Sequence, residues 1–296
     1  AVLEGDEYPS SPLDRQAKFM HYEPHILVLT GIAWDHINVY PDEQSYVQAF
    51  SDLLKSLPKA AVCIYNKEDK RLRELVKAHL DEESHYAIPY STPSYKNRNE
   101  EVWAKLDGHQ KTRVHVYGKH NMANLAAARE VLCQLSMPEE HIAEHLGSFD
   151  GAHFRLQEVY RDEQTIVIRD WAHAPSKVAA SLEAVRERYK ERKLIPVLEL
   201  HTFSSLNSAF LPEYANVFSK QKHAYIYIDP DTLTRKGSDA LSEAALQQAF
   251  NHTKLTLISG RDELERRLRQ EKSGRDVFLM MTSGNFSGLE LADLGR

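Results

Sequence analysis

From Gly151 onward, short apolar runs alternate with longer stretches of helical period. The runs fall at residues 155–160, 165–170, 194–200, 224–228, 255–258 and 277–281. Helical stretches separate them at 176–189, 211–219, 239–250 and 262–270, and another follows Asn285. A strand that is apolar without alternation must be covered on both faces. A helix between two such strands lets them run parallel. The pattern therefore predicts an α/β fold with a mainly parallel, doubly covered sheet.

The first half holds fewer elements of the same kind. Ile26, Leu27, Val28 and Leu29 are an unbroken apolar run, suited to a central strand buried on both faces. A second strand is expected at 61–65, and a hairpin from 102–106 and 112–117 about Asp107-Gly108. Helices are expected after Asp42, with Tyr46, Phe50, Leu53 and Leu54 inward, and at 68–80, 118–132 and 138–146. Ala1, Val2 and Leu3 read as the end of a strand, so the chain is expected to be a fragment that begins inside a domain. The change of pattern at 148–151 divides it into domains at 1–148 and 149–296.

Composition narrows the function. The 42% hydrophobic content of the 296 residues supports proper cores. A net charge of -6 with mixed signs and no basic block points away from nucleic acid. Two cysteines, Cys63 and Cys133, make no disulfide framework and fit a reducing cytoplasm. No apolar run approaches the roughly 20 residues of a membrane span.

Three places carry candidate chemistry. Asp35 and His36 follow the 26–29 strand, where open α/β sheets bind ligands, and could hold a metal or move a proton. His120, Asn121 and Asn124 open the 118–132 helix, whose free N–H groups favour anions. Asp170 and His173 follow the 165–170 strand, and Pro175 suits the first turn of the next helix. Each has a plainer reading: a capping Asp, a capping Asn, an ordinary strand-to-helix turn. A metal-dependent hydrolase built on Asp35, His36, Asp170 and His173 also stays open.

Taken together, five segments are more specific: EGDEY at 4–8, LTGIAWDHINVYP at 29–41, GKHNMAN at 118–124, FDGAHFR at 149–155 and DWAHAPS at 170–176. Their order and spacing resemble the Mur ligase family, cytoplasmic enzymes that build the peptide of bacterial cell walls. The resemblance covers essentially the whole chain. It implies the later part of a central ATP-binding domain followed by a Rossmann-like C-terminal domain. It also implies ATP and Mg2+ as cofactors, with UDP-N-acetylmuramate and an amino-acid or peptide amine as partners. ATP would turn the muramate carboxylate into an acyl phosphate, which the amine attacks. By the same resemblance Glu4 and His36 are metal ligands. His120, Asn121 and Asp170 bind the nucleotide. Arg155 reaches the terminal phosphate, and His173 shares the motif of Asp170. Ser283 and Asn285 lie where the amine binds.

The chain departs from the family in three ways. It contains no phosphate loop, because its one Gly-Lys pair, Gly118-Lys119, is followed by His120 rather than Ser or Thr. The UDP-binding domain is also missing, so the fragment alone is expected to be inactive, and a non-catalytic nucleotide-binding remnant is a further alternative. Ser51 stands where several members carry a modified lysine. Leu200, His201, Thr202 and Phe203 replace a Pro-Arg-Ser-Asn run. The DEY segment and residues 14–29 resemble the murein peptide ligase branch, which implies a tripeptide amine, with Arg235 and Lys236 among candidates for its carboxylates. His201 instead resembles the L-alanine-adding branch, the alternative.

Overall fold

The computed structural model describes residues 1–81, 83–106, 110–236 and 241–296. The chain forms two compact units. The first holds Ala1–Arg98, Val102–His115 and Lys119–Phe149; the second holds Asn99–Glu101, Val116–Gly118 and Asp150–Arg296.

In chain order the first 149 residues form β1 (Ile26–Leu29), α1 (Glu43–Lys55), β2 (Val62–Asn66), α2 (Lys70–His79), β3 (Tyr86–Tyr90), β4 (Tyr95–Arg98), β5 (Glu101–Ala104), β6 (Thr112–Val114), α3 (Lys119–Gln134) and α4 (Glu139–Ser148). Asp42 and Asp69 cap α1 and α2 by accepting the N–H groups of Ser45 and Leu72. β1, β2 and β3 make a parallel sheet in that order. Side chains alternate across it. Ile26, Val28, Val62, Ile64, Ile88 and Tyr90 pack with Ala123 and Ala127 of α3. Leu27, Leu29, Cys63 and Tyr65 join Phe50, Leu53, Leu54, Leu72 and Val76 of α1 and α2. Burial pushes the Cys63 thiol up to about 12, so it behaves as a small apolar group.

Two expectations fail here. β1 is an edge strand of this sheet rather than a central one, and only Leu29 of its four residues is fully buried. Ala1–Leu3 form no strand, and the Val2 side chain is wholly exposed. The hairpin is present, with Val102 opposite Val114; its Asp107-Gly108 turn lies outside the described residues. β3 was not anticipated, because Pro89 interrupts it and three of its five residues are exposed.

The second unit contains β7 (Gln157–Arg161), β8 (Thr165–Asp170), α5 (Pro175–Arg188), β9 (Lys193–Glu199), β10 (Ala224–Tyr227), α6 (Pro230–Lys236), α7 (Glu243–Ala249), β11 (Leu255–Ile258), α8 (Arg261–Glu271) and β12 (Asp276–Met281). Six strands stand in the order β11-β10-β9-β12-β8-β7. All neighbours are parallel except β7 and β8. This is the α/β architecture the alternation predicts. Val167, Ile195, Val197, Tyr227, Phe278 and Met280 face α8 and the C-terminal turns through Leu264, Leu268 and Phe286. Each large apolar side chain buried this way contributes roughly 1.5–3 kcal/mol. From β8 the chain passes over the place that β12 later fills and continues at β9. It runs on in the same direction to β10 and β11 and then returns to β12, and a crevice at the carboxyl ends of these strands follows from that reversal.

Local differences have local causes. The expected 211–219 helix is only a 3-10 turn, Leu211–Tyr214. The stretch after Asn285 makes two more, Phe286–Gly288 and Leu291–Leu294. Residues 239–240 of the expected 239–250 helix lie outside the described residues, and α7 covers its later part. α6 was not anticipated. The strand expected from 155 starts at Gln157, which leaves Arg155 in a loop.

Candidate functional site

In the first unit the loop after β1 is tied down at both ends. Asn66 Nδ2 donates to the Thr30 carbonyl (3.2 Å), Ile32 N–H to Asp69 (3.1 Å), and Trp34 Nε1 to the Tyr40 carbonyl (3.0 Å). Asp35 is buried and accepts the N–H of His36 at 2.8 Å. His36 has φ 60°, a left-handed conformation that a non-glycine residue keeps only when its surroundings impose it. Its Nδ1 lies 3.1 Å from the Tyr8 hydroxyl. Its Nε2 lies 3.7 Å from Glu7 Oε2 and 4.0 Å from Asp35 Oδ2. Tyr46 donates its hydroxyl to Glu7 Oε1 at 3.0 Å, and Tyr40 donates to the Glu7 carbonyl at 2.8 Å. Burial, then the charge of Glu7, pushes Tyr40 up to about 12 and Tyr46 higher, so both stay protonated donors.

The carboxylate placed beside His36 is thus Glu7. Glu4 lies upstream in the exposed segment at the N-terminal end. Glu7 and Asp35 put two carboxylates near His36, and a hard divalent cation prefers oxygen donors. Among the described residues no group of three or more His, Cys, Asp or Glu could hold a metal ion by itself. An ion at His36 would need further oxygens from its ligand.

His120 and Asn121 are half-buried in the first turn of α3. Beside them Lys119 pairs with Glu68 at 2.7 Å, and its hydrogen bond holds Glu68 below the usual carboxylate range. Ser51 is buried and lies 2.8 Å from His79 Nε2, so it joins α1 to α2.

In the second unit Arg155 is exposed, and its side chain makes no hydrogen bond or ion pair among the described residues. Asp170 is turned inward: it is 4% exposed, accepts the N–H of Leu156 at 3.0 Å and accepts the Ser181 hydroxyl. It therefore ties the 150–156 loop and α5 to the end of β8. His173 Nδ1 lies 2.9 Å from the Trp171 carbonyl, and the His173 carbonyl accepts the Tyr214 hydroxyl.

A cleft of about 640 Å³ opens beyond β9 and β12, lined among others by Glu199, His201, Asp229, Thr232, Arg235 and Asn285. Glu199 is 2% exposed. It accepts the Thr282 hydroxyl and, at 2.9 Å, the N–H of Phe286, while His201 Nδ1 lies 3.7 Å away. Gly284 fills the remaining space: a Cβ there would stand 2.8 Å from His201 Nδ1 and 2.9 Å from Glu199 Oε2. Arg235 donates to Thr232 Oγ1 at 2.9 Å and lies 3.8 Å from Asp229, which aims it. Burial pulls Lys236 below its ordinary value. Asn285 accepts the Gly288 N–H at 3.3 Å, and Ser283 Oγ is buried without a hydrogen-bond partner among the described residues. Asn285 and Arg235, singled out from the sequence, line this cleft, and Glu199 was not singled out. Its signal was a carboxylate closing an otherwise apolar strand.

Residues 1–132 match the Mur ligase middle domain, and residues 154–284 match the Mur ligase glutamate ligase domain. The chain is 28% identical over 231 residues to UDP-N-acetylmuramate–L-alanine ligase of Streptococcus agalactiae, across 76% of this chain and 50% of that protein. It thus spans about half the length of that relative. A murein peptide ligase from Psychrobacter arcticus superposes with a TM-score of 0.65 at 16% identity, covering 100% of this chain and 62% of that one. The MurF ligase of Thermotoga maritima, solved with ADP, gives a TM-score of 0.65 at 15% identity over 89% of this chain and 59% of that one. At these identities the structures share the fold. Among the described residues no helix is long and apolar enough to cross a membrane.

Proposed function

We propose, for a chain that carries a Mur ligase middle domain followed by a Mur ligase glutamate ligase domain, an ATP-dependent ligase activity of peptidoglycan synthesis. The enzyme joins the amine of L-alanine to the carboxylate of UDP-N-acetylmuramate through an acyl phosphate. The observation that carries the choice of amine is the 231-residue match to a relative named for L-alanine. It favours L-alanine over the tripeptide expected from the DEY segment. His201, the residue that resembles the alanine-adding branch, lines the cleft beyond β9.

ATP and Mg2+, when bound, activate the muramate carboxylate. The chain's own residues do the rest by position and charge. His36 offers an imidazole fixed by Tyr8, with Glu7 beside it; Glu4, the ligand implied by the family resemblance, lies upstream of both. Arg155 offers an exposed cation for phosphate oxygens. His120 and Asn121 approach the nucleotide from α3. Asp170, whose family counterpart contacts the ribose, here holds the Arg155 loop, and His173 shares its turn. Arg235 can hold the carboxylate of alanine, and His201 can take a proton from its ammonium. Ser283 and Asn285 border the amine.

The test is a competition assay on the natural gene product with ATP, UDP-N-acetylmuramate, L-alanine and the L-alanyl-γ-D-glutamyl-diaminopimelate tripeptide. We expect kcat/KM for L-alanine to exceed that for the tripeptide by a factor on the order of ten or more. A preference for the tripeptide overturns the reading.

A further inference from the structure

The loop of residues 150–156 is strained. Gly151, Phe154 and Leu156 have φ values of 99°, 59° and 46°. For Phe and Leu this conformation costs energy and persists only where neighbours over-determine it. Two successive residues of β8 do so. Asp170 accepts the Leu156 N–H at 3.0 Å. The Arg169 guanidinium lies 3.8 Å from the centroid of the Phe154 ring, whose plane is within 15° of the Trp171 ring. Successive side chains of a strand point to opposite faces, so Arg169 and Asp170 hold the loop from two sides. Arg155 stands exposed between the two residues they hold.

Arg169 also reaches the cleft. Its Nη2–H donates to the Gly284 carbonyl at 3.3 Å, and its Nε is buried without a hydrogen-bond partner among the described residues. The Gly284 turn packs closely on the cleft, because Glu199 and His201 would stand within 3.0 Å of any Cβ added there. A guanidinium suits this place. Its flat face covers a ring while its edge keeps an N–H for a carbonyl, which an ammonium cannot do.

We infer that Arg169 is a positioning residue that ties the loop presenting Arg155 to the turn carrying Asn285, so that ordering one orders the other. The naming of these ends as phosphate side and amine side rests on the ligase reading; the tie itself does not.

Hydrogen exchange by mass spectrometry on the 296-residue chain tests it. In Arg169→Lys and Arg169→Gln, amides of both 150–156 and 282–288 should exchange faster, by about tenfold, as expected for loss of a stacked and hydrogen-bonded cation. Phe154→Leu keeps the apolar volume and removes the aromatic face. It should speed exchange in 282–288 as well, and adding it to Arg169→Lys should contribute little more. If the Arg169 variants loosen 150–156 and leave 282–288 at wild-type rates, the tie is refuted. In the natural gene product, Arg169→Lys should lower kcat and raise KM for L-alanine together. Faster exchange in both segments with unchanged kinetics would keep the tie and overturn the assignment of its two ends.

Discussion

β12 and β1 are both short apolar strands, yet their surroundings differ. β12 lies inside a six-stranded sheet and all six of its residues are buried. β1 lies at the edge of three strands, and only its last residue is buried. The chemistry beyond each strand follows suit. Past β12 and β9, Glu199 is sealed by the Thr282 hydroxyl and the Phe286 N–H, and backbone fills the space against it. Past β1, the imidazole of His36 is held by contacts of 3.1 to 4.0 Å from Tyr8, Glu7 and Asp35, in partly exposed surroundings. An interior position yields a template fixed before any ligand arrives. An edge position yields groups that a ligand can still draw together.

The largest expected break of this comparison is in the cores. Phe278→Ala, in β12, should destabilise the second unit by about 3–5 kcal/mol, since the site cannot collapse around the missing ring. Val28→Ala, in β1, should cost the first unit about 1 kcal/mol, because its side chain is only half removed from water. Denaturant unfolding followed by Trp34 for the first unit and Trp171 for the second measures both. Equal costs would mean that the edge strand is as constrained as the interior one.

Two glycines just past strand ends sharpen the contrast. Gly284→Ala drives a Cβ to within 3.0 Å of Glu199 and His201, and should cost about 1–3 kcal/mol. Gly31→Ala brings its Cβ 3.5 Å from Asp69 Oδ2, an ordinary contact, and should stay within about 0.5 kcal/mol. Thermal melts of the two variants decide it. A silent Gly284→Ala would show that the cleft yields.

The same difference explains what could be read from the residues. The strand at Ala224–Tyr227 and the alternation around it were legible because an interior parallel strand must be apolar throughout. β3 was not, because an edge strand can afford Pro89 and exposed positions. The run 26–29 showed a strand but not its place in the sheet, since four apolar residues look alike at an edge or in the middle. At the site, Asp35-His36 and Asp170 were legible as polar residues just past apolar runs. That Asp170 turns inward was not, because its partners Leu156 and Ser181 are distant in sequence and set by the fold. Glu199 was hidden for the converse reason: a buried carboxylate is tolerable only with donors that the strand's own sequence does not contain. That Glu7 stands beside His36 was not legible, because nothing in the local sequence tells which acid of EGDEY meets it.

The smallest expected effect is electrostatic. Burial pushes Glu158 of β7 upward, but hydrogen bonds from Arg161 and Tyr189 and the charges of Arg161 and Arg188 outweigh it, leaving its carboxyl below the ordinary 4.5. A carboxylate whose folded value is depressed contributes stability above its unfolded value and loses it as pH falls through the folded one. Wild-type stability should therefore drop more between pH 5 and pH 3 than that of Glu158→Gln, whose amide does not titrate. Asp6 in the first unit has the same sign: the hydrogen bond from Lys18 chiefly holds it below 3.8. That pair is open to water and lacks the further partners that Tyr189 and Arg188 give Glu158, so screening leaves it little net stabilisation. Asp6→Asn should accordingly leave the pH dependence close to wild type, and added salt should erase what difference remains. The measurement is the melting temperature of both variants against pH at low and high salt. If Asp6→Asn flattens the acid limb as much as Glu158→Gln does, partial burial is not what gives the second unit its stronger electrostatics, and the contrast between the two units must rest on packing alone.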